Sequence, residues 1–196
     1  MTDYKEIFGY ASIVVAAVGY IPYIKDILAH KTKPHAFSWF IWFSTESIAF
    51  AVQVVAQGGS GSWVHLVQLI LCLLVFALAL RYGHPDITRS DWIALSLGLL
   101  AILLWLFTKQ PLSAVVCLIV IDIMAFAPTF RKSYQFPRQE TAVLYTTSAA
   151  SYALALFALE QYQIVNWLYQ AVLVGLNIAF ISWLFILRRR RTRIAL

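Results

Sequence analysis

The chain has 196 residues, of which 61% are hydrophobic and only 12% are charged, and its mean hydropathy is +0.75. Soluble domains contain about half apolar residues, so this composition excludes an ordinary soluble protein and predicts an integral membrane protein. The net charge of +6 does not indicate nucleic-acid binding. Its densest run, "RRRRTR" at 188–193, is typical of a cytoplasmic topology anchor that contacts anionic membrane lipids.

Seven apolar runs are long enough to cross a bilayer core of roughly 30 Å, which needs about 17 to 25 residues per helix. In chain order they are 7–24, 36–56, 63–80, 92–108, 112–130, 141–159 and 164–187. Each run is predicted to be helical, because lipid offers the backbone no hydrogen-bond partner. The sequence therefore predicts an all-α membrane protein with seven transmembrane helices.

The basic residues collect on one side of the predicted spans. All of them except Lys5 and Lys109 fall on one side, in the links 25–33, 81–89 and 131–138 and in the C-terminal tail. Because Lys and Arg collect on the cytoplasmic side, we predict that the N-terminus is outside and the C-terminus inside. The location that we expect for such a protein is the inner (cell) membrane of a bacterium.

Sequence motifs for catalysis and for metal binding are missing. Cys72 and Cys117 both lie inside predicted spans, where neither a disulfide nor a zinc site is expected. The chain has no H-E-x-x-H, G-x-S-x-G or C-x-x-C motif and no glycine-rich phosphate loop followed by lysine. We therefore expect a protein that is not an enzyme and that has no cofactor and no metal.

An internal repeat divides the chain. The segment "YIPYIKD" (20–26) matches "FAPTFRK" (126–132) position by position: an aromatic residue, an apolar residue, a proline, a variable residue, an apolar residue, a basic residue and a charged residue. The repeat predicts two triple-helix units, 1–83 and 111–196, the second with the basic tail, joined by a linker transmembrane helix within 84–110. One linking helix gives both triplets the same orientation, so this 3+1+3 plan consists of parallel repeats.

Each triplet has a proline near the cytoplasmic end of its first helix, Pro22 or Pro128, then a basic link and a Ser or Thr opening its second helix. With the 3+1+3 topology, these features resemble the PQ-loop superfamily. That group includes the SWEET sugar transporters, the half-size SemiSWEETs and lysosomal amino-acid exporters similar to cystinosin. The prolines here are followed by Tyr23 and Thr129, and Asn166 matches the second of the paired asparagines of SWEETs. The resemblance covers nearly the whole chain and implies that it can form homo-oligomers.

Four predicted spans carry polar or aromatic stripes along one helical face, as expected if the two triplets face each other across a central cavity. We predict that eight residues bind the substrate: Trp42, Glu46, Gln68, Asp122, Tyr145, Asn166, Gln170 and Asn177. Other roles remain open, because tryptophan also lies at the lipid interface and buried amides also join helices. His65, near the outer end of its span, equally fits a hydrated histidine.

Glu46 and Asp122 are ionisable residues at membrane depth, where they are costly and face the bundle interior or a water-filled cavity. A site of low dielectric disfavours the charged form of a carboxylate, so such a group can take up and release a proton as access to the cavity changes. Each acid has an alanine at the matching position of the other repeat. We predict a role in proton coupling or substrate binding; the alternative is a protonated acid hydrogen-bonded to a neighbouring helix.

These observations predict a small-solute transporter that works by alternating access. Its substrate would be a sugar or another small polar metabolite, transport would be coupled to protons or uncoupled, and Pro22 and Pro128 would act as hinges at the inner gate. The partners would be this solute and membrane lipids. The alternative is a ligand-sensing or scaffold membrane protein that does not transport.

Overall fold

The computed structural model describes residues 4–83 and 110–194, together with positions 89, 92, 93 and 96. Its helices are α1 (Tyr4–Leu28), α2 (Ala36–Val55), α3 (Trp63–Tyr82), α4 (Pro111–Gln135), α5 (Ala142–Phe157) and α6 (Ile164–Ile194), and a 3-10 helix, Gly59–Ser62, precedes α3. None of the described residues is in a β-strand. The predicted fourth span, 92–108, and the linker unit 84–110 lie outside the described residues, apart from the isolated positions.

Five helices are long and apolar enough to cross a membrane, namely those that contain the first, second, third, fifth and seventh predicted spans. These helices make the protein an integral membrane protein of the all-α class. The sixth predicted span, 141–159, is a helix of only 16 residues, or about 24 Å at 1.5 Å per residue. The chain beyond its C-terminal end stays buried, since Ala158 and Leu159 are fully shielded.

The helices pack in the same order within the two triplets. In the first triplet α3 packs against both α1 and α2, and in the second α6 packs against both α4 and α5. The first helix of each triplet also packs against the second helix of the other, so α1 meets α5 and α4 meets α2. The arrangement of helix contacts is therefore equivalent in the two halves.

The two triplets also run in the same direction. The chain just after α2 lies beside the start of α6, where the Asn166 amide donates to the Ala56 carbonyl at 3.2 Å. At the opposite end, Lys132 near the end of α4 donates to the Lys33 carbonyl in the link after α1. We call the end at which α1 and α4 begin the amide end, and the end at which they finish the latch end.

The largest contact between the triplets, α1 against α5, depends on a close approach at a glycine. Gly19 is buried, and a Cβ atom added there would overlap the side chain of Thr147. Glycine therefore lets these two backbones come closer than any other residue would allow.

Candidate functional site

A cavity of about 40 Å³ lies between the two triplets, near the middle of the helices. Its wall is formed by side chains from all six helices: Tyr20, Trp39, Trp42, Glu46, Gln68, Cys72, Phe126, Leu144, Tyr145, Ser148, Tyr152, Leu173 and Asn177. A volume of this size holds a water molecule or two, whereas sites for small ligands are typically several hundred Å³. A metabolite would therefore require the helices to move apart.

Aromatic rings form a continuous part of this wall. Tyr20 packs against Trp39 with ring centroids 5.9 Å apart, and Trp39 packs edge-on against Trp42 at 5.0 Å. Trp42 contacts Phe126 of the other triplet at 5.0 Å, and Phe126 contacts Tyr145 at 6.4 Å. The five rings, which we call the aromatic wall, thus extend across both triplets.

Two polar atoms of the cavity lining have no partner among the described residues. They are the indole Nε1 of Trp42, a donor, and the side-chain oxygen of Gln68, an acceptor. Gln68 is 2% exposed and Trp42 is 9% exposed. A buried polar group without a hydrogen bond costs about 1–3 kcal/mol, so a molecule that reached these two atoms as the cavity expands would satisfy one donor and one acceptor.

Glu46 holds the centre of a buried network on the same wall. One carboxylate oxygen lies 2.7 Å from Nδ1 of His65, and the other accepts from the Tyr152 hydroxyl at 2.5 Å. The His65 ring packs against those of Tyr152 and Tyr169, with centroids 5.8 and 5.7 Å away. His65 is wholly buried, not hydrated at the end of its helix. The short contact with Glu46 is therefore a hydrogen bond inside the bundle, shielded from water.

Asp122 forms a second buried acid site, on α4. Its carboxylate accepts from the Tyr169 hydroxyl at 2.5 Å and from the Thr45 hydroxyl at 3.0 Å. Tyr169 also stacks on the ring of His65, the partner of Glu46. The sites of the two acids are therefore adjacent. Two carboxylates and one histidine are thus close together in the interior of the bundle.

The amide end is closed by neutral hydrogen bonds between the triplets. The Asn166 side chain donates to the Ala56 carbonyl at 3.2 Å, and the Gln170 side chain donates to the Gly61 carbonyl at 2.9 Å. Gln53 donates in return to the Asn166 carbonyl at 2.9 Å. These contacts join α2 and the turn before α3 to the start of α6.

The latch end is closed by a charged cluster. Lys132 forms a buried ion pair with Glu140 and also donates to the Lys33 carbonyl. The Thr141 hydroxyl donates to Asp26 at 2.8 Å and lies 2.7 Å from that of Thr32. Because Lys33, Asp26 and Thr32 belong to the first triplet, these bonds, which we call the latch, hold the two triplets together.

The structure brings five of the eight predicted binding residues to the cavity: Trp42, Glu46, Gln68, Tyr145 and Asn177. The other three lie elsewhere, Asp122 in the second acid site and Asn166 and Gln170 at the amide end. The Asp122 carboxylate and the side-chain N–H groups of Asn166 and Gln170 bond to protein atoms there, whereas the side-chain oxygens of Asn166 and Gln170 have no partner among the described residues. Pro22 and Pro128 do not line the cavity; both lie inside continuous helices, before the latch end.

Tyr20 and Phe126 were not predicted as site residues from the sequence. Both line the cavity, and they are the aromatic residues that open the two repeated segments "YIPYIKD" and "FAPTFRK". The repeat therefore contained a signal for them, although we assigned its function to the prolines. His65 was missed as the partner of Glu46, and nothing in the spacing of the two residues indicated the pair.

Within the described residues, no group of three or more His, Cys, Asp or Glu side chains could hold a metal ion. No family model, no curated protein and no solved structure matches the chain. The candidate site therefore rests on its own geometry: an aromatic cavity with a buried carboxylate, an unpaired donor and an unpaired acceptor, at the interface of two equivalent helix triplets.

Proposed function

We propose that this protein is a small-solute transporter of the PQ-loop type, which exposes one central site alternately to the two sides of the membrane. The observation that carries the proposal is the cavity between the triplets with the unpaired Trp42 N–H and Gln68 carbonyl. A bundle that served only as a scaffold would gain stability from pairing or removing these groups. The presence of two such groups on residues that line one cavity favours a binding site for a polar solute.

The equivalent packing of the two triplets supports a transporter with parallel repeats. In the proposed topology the chain crosses the membrane seven times, with the latch end in the cytoplasm of a bacterium. The start of α4 and the end of α3 lie at opposite ends of the bundle. This placement favours one more crossing in 84–110.

Closure at both ends supports an alternating mechanism. The amide end and the latch end are each held by hydrogen bonds between the triplets, and the cavity between them is too small for a metabolite. In the proposed cycle, breaking one set of bonds opens the site to one side while the other set stays closed. Pro22 and Pro128 would let α1 and α4 bend near the latch.

The buried acids support coupling to protons. Glu46 lines the cavity and is hydrogen-bonded to His65, so a solute that interacts with Glu46 would change the proton affinity of the pair in the proposed cycle. Asp122 would act as a second proton acceptor next to Tyr169. We propose that these two acids link solute movement to proton movement.

Flux into liposomes that contain the purified protein tests the proposal. A panel of labelled sugars, amino acids and small amines is offered with and without a pH gradient, and we expect saturable uptake of at least one class that responds to the gradient. Gln68→Leu should abolish this uptake but leave the protein folded. Gln163→Leu, at an exposed position, should transport normally.

Two results would contradict parts of this proposal. Saturable solute binding without any flux would favour a ligand-sensing protein over a transporter. Uptake that ignores the gradient, with Glu46→Gln and Asp122→Asn both fully active, would exclude the proton-linked role of the two acids.

A further inference from the structure

We propose that the central cavity selects a small organic cation that carries a hydroxyl group, such as an amino alcohol or its quaternary ammonium form. This inference rests on the proposed function, because it names the substrate class of the same site. It is carried by three features of the cavity: the sign of its charge, the aromatic wall, and the two unpaired polar atoms.

The charged groups of the interior favour a cation. Glu46 is the charged side chain of the cavity lining, which contains no lysine or arginine. The buried lysine, Lys132, is at the latch end and is already paired with Glu140. An anionic solute would therefore meet the Glu46 carboxylate in a cavity whose lining has no lysine or arginine to receive it.

The aromatic wall fits the same class of ligand. Ring faces carry negative potential and attract a cation within about 6 Å, tryptophan most strongly. Trp39 and Trp42 stand edge to face at 5.0 Å, an 89° angle between their planes, and Tyr20, Phe126 and Tyr145 continue the wall on both sides. A compact ammonium group between these rings would be stabilised by the rings and by the Glu46 carboxylate together.

The unpaired atoms add a requirement for hydrogen bonding. The Trp42 N–H needs an acceptor, and the Gln68 oxygen needs a donor. A hydroxyl group provides both, and the carboxylate of an amino acid, which could also accept from Trp42, would be repelled by Glu46. The best fit is therefore a cationic head joined to a hydroxyl, in a molecule small enough for a cavity that must expand from about 40 Å³.

Equilibrium binding to the purified full-length protein in detergent tests this inference. The probes are labelled choline and its neutral isostere dimethylbutanol, in which carbon replaces the charged nitrogen, with glucose and acetate as the neutral and anionic comparisons. We expect saturable choline binding and at least about tenfold weaker binding of the isostere, because only the charge differs. Tetramethylammonium, which lacks the hydroxyl, should bind more weakly than choline.

Variants connect the binding to the named groups. Glu46→Gln should weaken choline binding about tenfold or more and leave binding of the isostere nearly unchanged. Phe126→Leu should weaken choline binding severalfold by removing one ring of the wall. Glu6→Gln, which changes an exposed carboxyl group in the first turn of α1, should have no effect. Each variant is compared at matched monodispersity in size-exclusion chromatography.

The outcomes separate this inference from the proposed function. Equal binding of choline and its neutral isostere, or preferential binding of glucose or acetate, overturns the cationic class whether or not flux is observed. Selective choline binding supports the cationic class, and the absence of choline flux in liposomes would then contradict transport alone. Glucose flux without choline binding would overturn the cationic class and leave transport standing.

Discussion

Tyr145 and Glu140 connect the cavity to the latch. The ring of Tyr145 belongs to the aromatic wall, and its hydroxyl donates to the Glu140 carboxylate at 3.1 Å. Glu140 in turn pairs with Lys132, which holds the Lys33 carbonyl of the other triplet. A displacement of the Tyr145 ring by a solute would therefore pull directly on the bonds that close the latch end.

Tyr145→Phe should break this connection and keep the ring in the wall. We expect solute affinity to change less than about twofold, because the ring remains, and the maximal flux to change severalfold. The loss of one interhelical hydrogen bond should lower the free energy of unfolding by about 1 kcal/mol or less. Tyr10→Phe, at an exposed position, is the control. Equal changes in affinity and flux would show that the hydroxyl acts at the binding site.

Glu46 and His65 should be strongly coupled in stability. His65→Leu leaves a buried carboxylate without its partner, and we expect it to lower the free energy of unfolding by about 3 kcal/mol. Adding Glu46→Gln to that variant should recover about 1 kcal/mol or more. Chemical unfolding in detergent of the two single variants and the double variant gives this coupling, and strict additivity would contradict the pair.

A matched control for His65 is available on the surface. His30 is exposed and has a positive φ of 58°, a backbone conformation that asparagine tolerates well. His30→Asn should therefore change the free energy of unfolding by less than about 0.5 kcal/mol.

Lys132→Met should weaken the latch by leaving Glu140 buried without a cation. We expect a loss of about 3 kcal/mol in the free energy of unfolding. The double variant Lys132→Met, Glu140→Gln should regain about 1 kcal/mol, since glutamine is neutral and still accepts from Tyr145. Lys25→Met, which is exposed, should be nearly neutral. If the double variant is no more stable than Lys132→Met, the latch is stabilised by the hydrogen bonds from the Lys132 ammonium group to backbone carbonyls and not by the ion pair.

Gly19 and Gly175 should respond in opposite ways to the same substitution. Gly19→Ala places a methyl group against Thr147 and should cost about 1–3 kcal/mol of unfolding free energy. Gly175→Ala meets no atom within 4 Å and should stabilise α6 by about 0.5–1 kcal/mol. Thermal unfolding of both variants measures the contrast. Adding Thr147→Ala to Gly19→Ala should restore the lost free energy of unfolding. If it does not, the loss comes from a contact other than the one with Thr147.

Pro22→Ala and Pro128→Ala should slow transport more than they change stability. Each proline removes a backbone hydrogen bond inside a continuous helix, α1 or α4, so alanine should stiffen the helix at the proposed hinge. We expect flux to fall about tenfold, with the free energy of unfolding within about 1 kcal/mol of the wild type. Pro111→Ala, at the first turn of α4, should leave flux unchanged. Full activity of both hinge variants would exclude the hinge.

The helices could be predicted from the sequence because the membrane imposes one secondary structure and a minimum length on each apolar run. Two differences have local causes. α6 continues to Ile194, past the predicted end at 187, because five of the seven added residues are arginine, which is a good helix former. α5 is shorter than predicted, since apolar composition does not distinguish its helical residues from the buried turn at Ala158 and Leu159.

The site could be predicted only in part. Helical spacing placed Trp42 and Tyr145 on facing stripes, and both line the cavity. It did not reveal that Asn166 and Gln170 donate to the carbonyls of Ala56 and Gly61. Those carbonyls belong to a turn whose path depends on tertiary packing. The spacing of residues along one helix shows on which helical face each residue lies. It does not show which residue of another helix that side chain contacts.

One face of α6 carries contacts at both closures and at the cavity between them. Asn166 bonds at the amide end, Asn177 lines the cavity, and Arg188 donates to the carbonyls of Pro137 and Glu140 at 3.0 and 2.5 Å. The three residues follow at intervals of eleven, about 16 Å along the helix axis. In the proposed transport cycle, a rigid α6 would act as a lever with its fulcrum at Asn177. Tilting it there would move its amide end and its latch end in opposite directions, so that opening the site at one end would close it at the other.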